Sequence, residues 1–268
     1  MFLFVDKNLD AINGESSQAT AAALRRELRL KDRLIQQKEE ELQNLLFTLA
    51  HELKTPVGAI RGFTHFILEE FSDELPNMVA DYLNRISKNA DRIESIIEDL
   101  NLLSKLNIHE DSFEVINVRE LISDTILELY GQYPVDASSI EIAENLSPAY
   151  GHRGSIQHVF TNLISNALKY RRERVQPKIE IGCLEDEIFL KFYVKDNGIG
   201  IPREAQKKIF NMFVRVGHKK RVHGSGLGLY IVRRIIQAHG GEIWVRSRKG
   251  VGSTFYFTLP KPPKAAAH

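Results

Sequence analysis

Between Arg153 and Tyr170 the chain places His158, Asn162, Asn166 and Lys169 at spacings of four, four and three. On a helix this is one continuous polar stripe, opposite an apolar side made by Ile156, Val159, Phe160, Leu163, Ile164 and Ala167. Any solvated helix face has this pattern. Asparagine, however, is a poor interior helix former, while its carboxamide oxygen is a good hard ligand for Mg²⁺ and a lysine ammonium suits a phosphate as a point charge. Two glycine turns add to the picture. Asp196-Asn197-Gly198-Ile199-Gly200-Ile201 follows an apolar strand directly, and Gly224-Ser225-Gly226-Leu227-Gly228-Leu229 opens a helix. Glycines let the backbone approach a phosphate closely and a helix N-terminus adds oriented N–H donors, although loops of this kind also serve as plain turns. The second turn follows no strand and lacks Lys-Ser/Thr, so it is neither a dinucleotide fingerprint nor a P-loop.

A third cluster is His51-Glu52-Leu53-Lys54-Thr55-Pro56. Relative to Leu49, on an apolar seam, His51 lies about 200° round a helix and points to solvent. A lone surface histidine is usually inert. Here Glu52 can take the proton from one imidazole nitrogen while the other attacks an electrophilic phosphorus, and Thr55, four residues on, shares the outward face.

These groups need elements to hold them. Leu28, Ile35, Leu42, Leu49, Pro56 and Phe63 lie seven apart, and Leu46, Leu53, Ile60 and Ile67 form a second row four positions later. The two rows predict one long helix from Leu24 with a seam buried against other helices, kinked at Pro56. Turn residues over Phe71 to Asn77 precede a second helix, marked by Val79, Ile86, Ile93 and Leu100 with Leu83, Ala90 and Ile97. A two-helix hairpin cannot enclose its own core, so a symmetric dimer forming a four-helix bundle is expected, led in by a parallel coiled coil over Leu24 to Leu45. After Asn107 the pattern changes to short strands and amphipathic helices. Helices are expected at Val118 to Tyr130, Arg153 to Tyr170 and Ser225 to His239, and strands at Lys178 to Leu184, Glu187 to Lys195 and Ser253 to Leu259, with Cys183 and Trp244 in the core. The predicted fold class is α+β: a helical hairpin followed by an α/β sandwich with a mixed sheet. The expected divisions are a residual, frayed N-terminal segment (1–23), a coiled-coil helix (24–46), a dimerisation hairpin (47–107), a second domain (108–262) and a tail (263–268).

Composition sets outer bounds. In 268 residues, 43% are hydrophobic, and 36 Lys and Arg balance 35 Asp and Glu. A formal charge of +1 offers no long-range basic field for nucleic acid or an anionic membrane. The single cysteine excludes disulfide frameworks and multi-thiolate zinc sites and favours a reducing compartment. The apolar opening Met1 to Val5 stops at Asp6, far short of the ~20 residues of a membrane span. A soluble, cytoplasmic chain without membrane contact is expected.

In this order the motifs resemble the catalytic core of sensor histidine kinases of two-component systems, over roughly Phe47 to Pro260. Asn162-Leu163-Ile164-Ser165-Asn166-Ala167-Leu168-Lys169-Tyr170 is similar to that family's N box, Ile209-Phe210-Asn211-Met212-Phe213 to its phenylalanine box, and the glycine turns to its two glycine boxes. The resemblance implies an ATP site in which Asn166 ligates Mg²⁺, Asn162 sits beside the phosphates, Lys169 and Tyr170 contact phosphate and ribose, and Asp196 accepts from the adenine amino group. It implies that Gly198, Gly200, Gly224, Gly226, Leu227 and Gly228 fold round the nucleotide and that Thr254 supports Asp196. Ile201 to His223 would be a lid tethered by Phe210 and Phe213, with Arg215 a further phosphate contact. His51-Glu52-Leu53-Lys54-Thr55-Pro56 resembles the phosphoacceptor box. That implies autophosphorylation of His51, transfer to an aspartate on a response-regulator receiver domain, a homodimer, an upstream sensor domain or subunit, and dephosphorylation of the regulator by a water that Thr55 positions. The nucleotide domain would swing on a linker at Leu103 to Asn107. Hydrolytic relatives of the fold carry a Glu general base four residues before the Mg²⁺ asparagine. This chain has Asn162 there, so a hydrolytic clamp lacks its base, and an inert scaffold is disfavoured by the completeness of the boxes.

Overall fold

The computed structural model describes residues 3–104, 110–130, 139–186, 189–216 and 225–263. Gly224, residues 217–223 of the expected lid and residues 105–107 of the expected linker lie outside them. The chain divides into two compact units, Met1–Leu49 and Ala50–His268.

Helix α1 (Leu3–Glu70) runs unbroken through Pro56 and takes in the segment expected to be frayed. Proline has no N–H, so the Glu52 carbonyl loses its intrahelical partner there while the helix continues. In the first unit, Lys31–Glu27 at 2.7 Å and Lys38–Glu41 at 2.6 Å lace the exposed surface of α1. In the second, α1 turns back at Phe71, whose carbonyl accepts from the N–H groups of Glu74 and Leu75, into α2 (Asn77–Ser104). Leu103 is thus helical and buried.

The hairpin's internal seam combines two alanines with branched residues. Ala50 and Val57 bury against Ala90 and Ile97, with Leu100 alongside. Thr64 closes the same row, its hydroxyl satisfied by the Ile60 and Arg61 carbonyls at 2.8 and 2.9 Å. Arg61 and Glu94 pair across the two helices. The two alanines permit close approach, and other large residues of the predicted seam fall on the adjoining face: Leu49 is 45% and Phe63 70% exposed, and Leu53, Ile60, Val79, Ile86 and Ile93 are exposed too.

The rest of the second unit comprises β1 (Glu114–Ile116), α3 (Val118–Tyr130), β2 (Ile140–Ile142), β3 (Ala149–Gly151), α4 (Arg153–Lys169), β4 (Ile179–Glu185), β5 (Phe189–Asp196), α5 (Gly228–Ala238), β6 (Ile243–Arg248) and β7 (Gly252–Pro260). β2, β4, β5, β7 and β6 form a sheet in that order. It is mixed, β2–β4 being parallel and the other pairs antiparallel, while β1 and β3 form a separate antiparallel pair. Alternation drives Leu190, Phe192 and Val194 of β5 and Phe255, Phe257 and Leu259 of β7 inward. There Phe160 of α4 meets Phe192 and Phe257 edge-on at 6.0 and 5.4 Å. His239, also buried, accepts from the His152 N–H through Nε2 at 3.0 Å and reaches the Ile235 carbonyl through Nδ1 at 2.7 Å. His152 in turn caps α4, accepting from the Ser155 N–H.

Two residues expected in the core lie elsewhere. Trp244 is half-buried and stacks on Tyr256, centroids 5.5 Å apart, beside Tyr193: the alternation of β5, β6 and β7 turns these rings away from the helices. Cys183 is half-exposed near the end of β4, its thiol pushed up to about 11, chiefly by burial.

Candidate active site

The C-terminal half of α4, the turn after β5, the start of α5 and the first residues of β7 enclose a cavity of about 210 Å³. Asn162, Asn166 and Lys169 of the polar stripe line it together. His158, the fourth member, does not: burial lowers its pKa, and its Nε2 has no partner among the described residues. Asn166 spends its amide N–H on Asn162 Oδ1 at 2.9 Å, which keeps its own carbonyl oxygen for another partner. Packing fixes this pair, because a Cβ at Gly228 would lie 2.1 Å from the Asn162 amide nitrogen. Only glycine lets α5 begin so close to α4.

At the other end stands Asp196, the last residue of β5. Its Oδ1 accepts from the Gly198 N–H at 2.8 Å and the Ser253 N–H at 3.3 Å, so Oδ2 remains for a ligand donor. Burial raises its pKa, and the two backbone N–H groups counteract the shift. Gly200, at φ +67°, turns the chain where a side chain would meet the Arg248 carbonyl at 2.0 Å. Arg172 ties this end together, donating to the Asn197 carbonyl at 2.8 Å and the Gly250 carbonyl at 3.1 Å. Tyr170 caps α4 and lines the cavity; burial raises its phenol pKa while the nearby charge of Arg215 lowers it. Arg215 lines the cavity as well, and Arg171 does not.

Several expected site residues sit differently. Thr254 pairs with Lys195 on the outward side of β7, whereas Ser253, opposite Asp196, supplies the support through its backbone. Leu227 is fully buried, with its N–H held by Ser225 Oγ at 3.1 Å, and contributes backbone rather than side chain. Phe210 is buried edge-on to Phe255 at 6.5 Å and anchors the segment after the first glycine turn. Phe213 is 61% exposed at φ +60°, and its ring is in no aromatic pair among the described residues. The sequence reading missed Ser225 and Ser253, and also Ser95 and Asp99 of α2, which line the cavity from the hairpin side. Their four-residue spacing was the only available signal.

His51 lies outside this cavity, on the exposed face of α1. Its side chain is 74% and that of Glu52 76% exposed, with Nδ1 and Oε1 3.9 Å apart, one side-chain adjustment from a hydrogen bond. Thr55 is exposed one turn on.

The sequence matches known family models over most of the chain. Residues 41–107 match the His Kinase A (phospho-acceptor) domain, and residues 151–263 match the histidine kinase-, DNA gyrase B- and HSP90-like ATPase domain. The chain belongs to the sensor histidine kinases, whose phosphoacceptor and ATP-binding domains it carries. It is 30% identical over 248 residues to the methanogenesis regulatory histidine kinase FilI of Methanothrix harundinacea, covering 92% of this chain and 28% of that protein. It is 32% identical over 233 residues to the sensor histidine kinase WalK of Bacillus subtilis, covering 83% and 37%. The structure of the histidine kinase ThkA in complex with the response regulator protein TrrA is similar at TM-score 0.55 and 28% identity, over 81% of this chain and 61% of that one. The chain spans from about a quarter to just over a third of the curated relatives it matches. Among the described residues no helix is long and apolar enough to cross a membrane.

Proposed function

We propose that this chain is an ATP-dependent protein histidine kinase core that phosphorylates His51 and passes the phosphoryl group to an aspartate of a response-regulator receiver domain. The observation that carries this reading is the pairing, in one chain, of an exposed histidine flanked by a carboxylate with a cavity lined by Asn166, Lys169 and Asp196. Asp196 Oδ2 accepts from the adenine amino group, Tyr170 borders the ribose, and Asn162, Lys169 and Arg215 face the phosphates. Asn166 Oδ1 would hold Mg²⁺, since one hard oxygen suits a small cation that also binds phosphate and water. The ion neutralises phosphate charge when bound.

For transfer, Glu52 accepts a hydrogen bond from Nδ1 of His51, which leaves the Nε2 lone pair free. An Nε2–P bond forms, the bond from the γ-phosphorus to the ADP oxygen breaks, ADP departs, and the Nδ1 proton passes to Glu52. Because His51 lies outside the cavity, the nucleotide domain must take up a second position against the hairpin for this step. In a second, phosphatase activity, Thr55 orients a water toward the regulator's aspartyl phosphate, whose O–P bond breaks to release inorganic phosphate. A second copy of this chain covers the exposed row Leu49, Leu53, Ile60 and Phe63 on α1 and Val79, Ile86 and Ile93 on α2, which yields the four-helix bundle.

The test is incubation with γ-labelled ATP and Mg²⁺. Acid-labile, alkali-stable label is expected on the wild type and none on His51→Gln. Label that persists in the variant would overturn the assignment of His51.

A further inference from the structure

The hairpin reaches the cavity with a charge of its own. Ser225 Oγ donates to Asp99 Oδ2 while accepting from the Leu227 N–H. The Asp99 carboxylate therefore sits at the start of α5, an eleven-residue helix whose positive end favours an anion. Lys169 is near enough for its charge to act on Asp99, and Asp99 lines the same cavity as Asn162 and Asn166. Burial raises the pKa of Asp99, and Ser225 and Lys169 oppose the shift by favouring its ionised form. An ammonium, a hydroxyl donor and a helix N-terminus are the groups that would take a phosphate here. In this arrangement they serve an aspartate from α2.

We infer that Asp99 competes directly with the phosphates of the nucleotide: α2 lends a carboxylate to the anion-binding end of the cavity, and a polyphosphate chain must displace it, freeing the end of α2 as it binds. This rests on the reading of the cavity as the ATP site. Two anions in one partly dehydrated pocket repel, so the carboxylate and the phosphates cannot share Ser225 and Lys169. The consequence is a coupling. Nucleotide entry undoes the contact that holds the domain in a position from which His51 is out of reach.

The experiment is a set of equilibrium titrations of wild type and Asp99→Asn with ADP and with adenosine. The variant should bind ADP about tenfold more tightly, the factor by which a closed population of about nine in ten lowers apparent affinity. Adenosine, which has no phosphates, should bind both equally. ADP binding that is unchanged or weaker in Asp99→Asn would overturn the inference; the weaker case would make Asp99 a ligand for the cation that accompanies the phosphates. An equal gain for adenosine would overturn it too, by making the effect one of general access. A second measurement uses Asp99→Cys combined with Ser225→Cys under a thiol oxidant. Cross-linking should be rapid in the free chain and slowed by ADP but not by adenosine, and indifference to ADP would count against displacement. Absence of ADP binding by wild type and Asp99→Asn alike would instead overturn the nucleotide reading of the cavity.

Discussion

The proposed phosphoacceptor and the proposed nucleotide cavity present their polar groups in opposite ways. His51 stands on an exposed helix face with the Glu52 carboxylate 3.9 Å away, and its surroundings would be completed by whatever docks there. Asp196 is held by two backbone N–H groups at the end of a strand whose inward residues Leu190, Phe192 and Val194 are buried. One site borrows its geometry and the other owns it. An exposed helical site tolerates changes around it and is sensitive to partners; a site built into a packed sheet is sensitive to distant changes in the core.

The largest contrast should come from truncating a ring in each region. Phe257→Ala removes the centre of the Phe160–Phe192–Phe257 cluster and should cost about 3–5 kcal/mol of stability, read as a lowered urea midpoint. Phe63→Ala, at a residue exposed in the single chain, should leave that midpoint near the wild-type value. Its effect should instead be dimerisation weaker by about tenfold, the loss of about 1.4 kcal/mol of buried ring surface, measured by sedimentation equilibrium. Equal unfolding penalties in the two variants would dissolve the contrast.

Next in size is Gly228→Ala. The added methyl must displace Asn162, at an overpacking cost of about 1–3 kcal/mol, so ADP affinity should fall by about tenfold or more while His51 stays as exposed as before. Titration with ADP checks the first half, and the rate of imidazole modification by diethyl pyrocarbonate checks the second.

A smaller effect is expected with pH. Burial lowers the pKa of His239 and of His158 in the fold, so on acidification the unfolded chain takes up protons before the folded one. Stability from these groups is complete above about pH 6.5, the ordinary histidine value, and declines as pH falls below it. Urea midpoints at pH 7.5 and 5.5 should show the loss, and His239→Gln should show a shallower dependence. A steeper one would mean that His239 is not the titrating group.

The parts of this arrangement that were legible in the sequence are those encoded by local period and composition. The heptad rows gave the hairpin, and the stripe of Asn162, Asn166 and Lys169 gave one wall of the cavity. Thr254 and Ser253 are neighbours in sequence, and only the pairing of Asp196 with Ser253 across β5 and β7 decides which of them supports the aspartate. Strands β1, β2 and β3 have three residues each, too few for alternation to register. Trp244 and Cys183 were assigned to the core as strand residues, yet Trp244 belongs to a row of aromatic rings on the outward face of the sheet, and Cys183 falls near the exposed end of β4. Asp99 joins the site through a contact 126 positions away in sequence, which its four-residue spacing from Ser95 does not reveal.

Arg172 has a further consequence. By holding the carbonyls of Asn197 and Gly250, it joins the end of α4, the first glycine turn and the loop between β6 and β7 into one body. Three loops that would otherwise wander independently have given up that freedom before any ligand arrives. The entropy of ordering this end of the cavity belongs to the folding reaction, so a ligand arriving there meets a surface already set, and selectivity can be high without slow rearrangement.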